Sequence, residues 1–146
     1  MQFEQVVGLL FPNLQKDTFQ ETSPCTDEYN CIAYAVGDND NWWWPHPDSY
    51  WPPGVLLAET LPAFIDAFSI YNYQICPDGL LEPGFEKIVI YVNPQNIPTH
   101  AAKQLPSGKW SSKLGESWDI SHDTVEGLEG HRYGRVAQFM KRPTQP

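Results

Sequence analysis

Cys31 and His100 are the residues whose types and settings suit covalent chemistry. Cys31 stands in Asp27-Glu28-Tyr29-Asn30-Cys31-Ile32-Ala33-Tyr34-Ala35, and the apolar run 30–37, stopped by Gly37, predicts a short helix with the thiol in its first turn. Thr26, Asp27 and Asn30 are the candidate N-caps. Unpaired backbone N–H groups and the positive dipole end favour thiolate there, and the same groups suit an oxyanion on an attacked carbonyl. The plainer reading makes Cys31 a small buried apolar residue. His100, in Pro98-Thr99-His100-Ala101-Ala102, opens a predicted strand. Opposite Cys31 it would take the thiol proton; by itself it is a strand-end histidine.

A catalytic histidine needs an orienting partner, and Asp119, Ser112 and His122 are candidates. Asp119 reads equally as a cap. The triple tryptophan Trp42-Trp43-Trp44, with Tyr50 and Trp51, reads first as core packing or a cover, with one or two rings free to line a groove. Tyr29, Asn30, Trp44, Trp51 and Lys113 are therefore the candidate substrate contacts, Lys113 having a plainer reading as a structural salt bridge. The three cysteines, Cys25, Cys31 and Cys76, are an odd number without a CxxC pair, which disfavours a disulfide framework. A mixed site of these thiols with His100 lacks close ligand pairs, so neither metal nor cofactor is expected.

The elements that must position these groups follow from periodicity. Phe3, Val6, Val7 and Leu10 give a short amphipathic helix stopped by Pro12, and residues 13–26 read as a loop. Residues 60–71 give a second amphipathic helix with Thr60 as cap. Strands are expected at 73–76, at 87–92 as a central strand, at 99–105, at 109–113 after a Pro106-Ser107-Gly108 turn, and at 134–140; residues 122–129 suggest a short helix. Helices first and antiparallel strands second imply an α+β domain with N-terminal helices packed on a small meander.

At 146 residues the chain is expected to form a single domain, ordered over roughly 3–142. A net charge of −9 argues against nucleic-acid or anionic-membrane partners. The apolar runs are too short to span a bilayer, and the start lacks a secretory pattern, so a cytoplasmic protein is expected.

The segments TSPCTDEYNC (22–31), YNCIAYAVGDNDNWWWP (29–45) and THAAKQLPSGKWSSKLGESWDISH (99–122) resemble an uncharacterised bacterial domain family over roughly residues 8–142. More distantly, Asn30-Cys31-x-Ala33-Tyr34-Ala35, Pro53-Gly54 and the stretch from His100 through Lys113 to Gly115 are similar to papain-like cysteine peptidases and amidases of the NlpC/P60 type. That likeness implies a papain-like fold, Cys31 as nucleophile, His100 as base and Ser112 or Asp119 as orienting residue. Ser112 departs from the His, Asn or Asp of that group. The expected activity is thiol hydrolysis or amide-bond transfer on a peptide or amide substrate. The alternative is a non-enzymatic acidic binding or immunity-type module for a basic protein, or an inactive relative. Residues 1–86 carry 13 acidic and one basic residue, while 87–146 carry five acidic and eight basic. Asp27 and Glu28 thus oppose a thiolate at Cys31, and a cationic partner is expected on that side.

Overall fold

The apolar, β-branched run Ile88–Val92 lies within β3 (Phe85–Val92), which pairs on both edges and forms the middle of an antiparallel sheet. The computed structural model describes residues 7, 9–16, 19–23, 29–114 and 119–144. Among these, seven strands are present: β1 (Phe19–Ser23), β2 (Gln74–Cys76), β3, β4 (Pro98–Gln104), β5 (Trp110–Lys113), β6 (Asp119–His122) and β7 (Arg135–Pro143). They form one sheet in the order β1-β6-β5-β4-β3-β7-β2. Two short helices accompany it, α1 (Cys31–Val36) and α2 (Leu61–Ile70), with 3-10 turns at Pro12–Lys16 and Glu126–Leu128.

This corrects the expected architecture. The fold is sheet-rich, not a set of N-terminal helices on a small papain-like sheet, and β1 precedes both helices as the partner of β6. The polar β1 read as a loop because its strand character comes from pairing. Most of the helix expected at 3–10 lies outside the described residues, as do Cys25, Thr26, Asp27 and Glu28.

Both helices end where their caps dictate. The Asn30 side chain accepts from Ala33 N–H, and Gly37, at φ 92°, returns its own N–H to Ala33 and Tyr34. Thr60 caps α2, with a proline in the first turn. Asn30 also accepts from the Trp43 N–H at 3.0 Å and donates to its carbonyl, so one side chain joins helix start to tryptophan loop. Arg142 on β7 donates to the Tyr71 carbonyl at 3.0 Å and the Val36 carbonyl at 3.3 Å, which satisfies groups at both helix ends.

The sheet separates two apolar layers. On one face α1, α2, Trp43 and Trp51 pack over Ile88, Ile90, Ala101 and Met140. On the other, Val7, Phe11, Leu14, Val125, Leu128 and Tyr133 cover Val89, Tyr91, Ala102, Trp110 and Ile120. No described helix is long and apolar enough to cross a membrane.

Candidate functional site

Cys31 is the first residue of α1, and its side chain is 8% exposed in the helix-side layer. The sulfur lies against β4, facing the backbone N–H groups of Ala101, Ile32 and Cys31 itself. The contact with β4 is possible because β5 pairs with it only at Lys103 and Gln104, leaving the Ala101 edge without a β5 partner. Burial pushes the thiol up to about 11, and those three N–H groups and the Lys113 charge only partly offset this. Cys31 is therefore a neutral thiol at pH 7.

His100 belongs to the same peptide unit as the Ala101 N–H, yet its ring occupies the opposite face. Register sets this: His100 pairs with Tyr91, and Ala101 with Ile90. The ring is fully buried, stacked on Tyr133 with centroids 4.0 Å apart and planes 5° from parallel. Neither ring nitrogen has a hydrogen-bond partner among the described residues, so no bond joins it to Cys31. Burial, then the neighbouring His122, holds its pKa well below the ordinary value, and the imidazole is neutral. Cys31 also lies close enough to Tyr133 to help burial raise that phenol.

The candidate orienting residues have other partners. Ser112 Oγ lies 2.8 Å from His122 Nε2, and His122 Nδ1 lies 2.8 Å from the Thr124 carbonyl. A carbonyl only accepts, so Nδ1 carries a proton, and Ser112 Oγ pairs with Nε2. Asp119 accepts from the Tyr29 hydroxyl at 3.2 Å and lies 3.9 Å from Lys113 Nζ. Both members of that charge pair are buried, and the Lys113 ammonium sits 5.3 Å from the Tyr29 ring centroid. Cys31, Tyr29, Asn30, Lys113 and Asp119 thus gather on the helix side, whereas His100 and Ser112 belong to the other.

The aromatic candidates pack inward. Trp51 and Trp44 meet Phe64 with centroids 5.0 and 5.4 Å apart, and buried Trp43 donates to Asp38 at 2.8 Å. Asn30 is a buried cap. Sequence reasoning missed Tyr34, Lys103 and Tyr133. Tyr34 follows Cys31 by three residues, a spacing that puts both on one helix face. Lys103 follows Ala101 by two, a spacing that keeps a strand's face. Tyr133 lies in an irregular segment that periodicity cannot place.

Cys31, Cys76 and His100 do not converge, and no cluster of three or more His, Cys, Asp or Glu suited to a metal occurs among the described residues. Surface cavities of about 360 and 560 Å³ lie beside β3 and β7 and are lined by neither Cys31 nor His100.

These features define a sheet-rich domain with a thiol held against the unpaired edge of an inner strand. The chain belongs to the family described as a domain of unknown function (DUF7689), whose model matches residues 20–141. No curated protein matches it, and no solved structure does. The papain-like likeness receives no support from these comparisons.

Proposed function

We propose that the protein is a thiol hydrolase or amide-bond transferase with Cys31 as nucleophile and His100 as base. One observation carries this reading: a fully buried imidazole with both nitrogens unpartnered, on the peptide unit whose N–H meets the Cys31 sulfur. Leaving such a group unsatisfied costs about 1–3 kcal/mol, and a cost of that kind is repeatedly found where a group has a chemical task. Neutral thiol and neutral imidazole suit general-base attack instead of a standing thiolate–imidazolium pair.

The ring lies on the sheet face opposite the thiol, so the base role requires β4 to turn at His100 and release the ring from Tyr133 on substrate entry. The proton passes from sulfur to imidazole as the S–C bond forms, and the carbonyl oxygen becomes an oxyanion within reach of the Cys31 and Ala101 N–H groups. His100 then protonates the leaving amine as the C–N bond breaks. Water or an acceptor amine resolves the thioester. Tyr133, stacked on the ring, holds it on the far face until that turn.

The test is a burst assay with 4-nitrophenyl acetate, with the acylated residue mapped by peptide mass. One nitrophenolate per chain is expected, absent in Cys31→Ser and slowed at least about tenfold in His100→Ala. Acylation elsewhere, or none, overturns the reading. A non-enzymatic binding module or inactive relative is favoured by the 8% exposure of Cys31 and its raised pKa; it predicts no burst.

A further inference from the structure

We propose that the Cys31 site takes substrates carrying a carboxylate near the reacting carbonyl, with Lys103 as the anion's anchor. This rests on the thiol reading above. Lys103 follows Ala101 by two residues on β4, so it shares the face of Cys31 at a spacing of roughly 7 Å along the strand. Its ammonium lies 4.2 Å from the ring centroid of Tyr34, which itself follows Cys31 by one helical turn. The ring is fixed twice: its hydroxyl lies 2.6 Å from Ser111 Oγ, and its face stacks on Tyr29 with centroids 5.9 Å apart and planes 11° from parallel. A held ring fixes the direction of the cation above it.

Charge bookkeeping singles this lysine out. Lys87, Lys109, Lys113 and Lys141 each face a carboxylate. Lys103 has no ion-pair partner among the described residues, although it is half-buried and burial lowers its pKa. Asp119 and Glu86 oppose that shift from a distance without contacting the ammonium. An ammonium that is half-desolvated and has no counter-ion among the described residues is what an incoming carboxylate would complete. The stacked rings of Tyr29 and Tyr34 offer a flat wall for the rest of the substrate.

The experiment compares alkylation of Cys31 by iodoacetate and iodoacetamide at pH 7.5, read by peptide mass, with N-acetylcysteinamide as the neutral reference thiol. The iodoacetate-to-iodoacetamide rate ratio at Cys31 is expected at least about fivefold above the reference. It should fall to the reference value in Lys103→Gln, survive in Lys103→Arg, and decline with added salt. Inertness to both reagents removes the thiol reading and this one with it. Rapid labelling without iodoacetate preference overturns the carboxylate site and leaves the thiol reading standing. Were Lys103→Gln to fail to fold, the wild-type ratio and its salt dependence decide.

Discussion

The Tyr133 ring lies flat on the His100 imidazole, centroids 4.0 Å apart and planes 5° from parallel. Thr99 Oγ1 donates to the Tyr133 carbonyl, so the residue before the histidine holds the backbone of the ring stacked upon it. Because that stack keeps the ring on the face opposite Cys31, Tyr133→Leu should speed the Cys31 burst, whereas His100→Ala slows it. Ser112→Ala, whose hydroxyl serves His122, should leave the burst rate within about twofold. Stopped-flow nitrophenolate release separates the two, and near-ultraviolet circular dichroism checks that each variant is folded.

His100 also sets an acid limit on stability. Its folded pKa is depressed, so the unfolded chain binds the proton first as pH falls through about 6.5. Stability from this group is present above that pH and is lost below it. Urea midpoints should therefore decline from pH 7 to 5.5 in the wild type. His100→Phe, which removes the titrating ring, should flatten that limb, and an unchanged slope would refute the assignment.

Cys31 gives the alkaline counterpart. Its folded pKa lies near 11 against 9.0 unperturbed, so stability is full below 9 and falls as pH rises toward 11. Cys31→Ala should reduce the loss over that interval in thermal unfolding scans.

Asn30→Ala should destabilise the domain by about 2 kcal/mol, the upper end for a lost cap, because the same side chain also secures Trp43. The corresponding melting shift is roughly 4–8 °C at this size. Asn30→Asp, which keeps the acceptor oxygen for both N–H groups and loses the donor to the Trp43 carbonyl, should fall between.

The buried Lys113–Asp119 pair offers a separable test. Asp119→Asn removes the carboxylate facing a buried ammonium and should cost up to about 3–5 kcal/mol by urea unfolding. Lys113→Met with Asp119→Leu should recover much of this, since both charges go together. Equal losses in the single and double variants would show that the pair is not the source.

Local signals in the sequence account for the caps at Asn30 and Thr60, the turn at Pro106-Ser107-Gly108 and the strands built on Ile88–Val92 and Thr99–Gln104. β1 and β6 carry no such signal: Phe19–Ser23 is polar, and Asp119–His122 is too short for alternation to speak. β1 is defined by its pairing with β6, and β6 by its pairing with β1 and β5. The site was legible as residue types and not as geometry. Which face His100 occupies depends on register with Tyr91, and the room for the sulfur depends on where β5 stops pairing with β4. Charge across the sheet was equally hidden: Lys113 acts on Cys31 and Lys103 lies over Tyr34 through pairings that neighbours along the chain do not reveal.

Arg142 gives the fold a sequence in time. The carbonyl ends of both helices, at Val36 and Tyr71, are satisfied by a side chain more than 70 residues later in the chain. As the chain is synthesised, the helix layer lacks its closing guanidinium, and β3 lacks one of its two neighbours, until β7 has emerged. A nascent chain halted before residue 142 would therefore leave the last carbonyls of both helices open to water, with no later segment to close them.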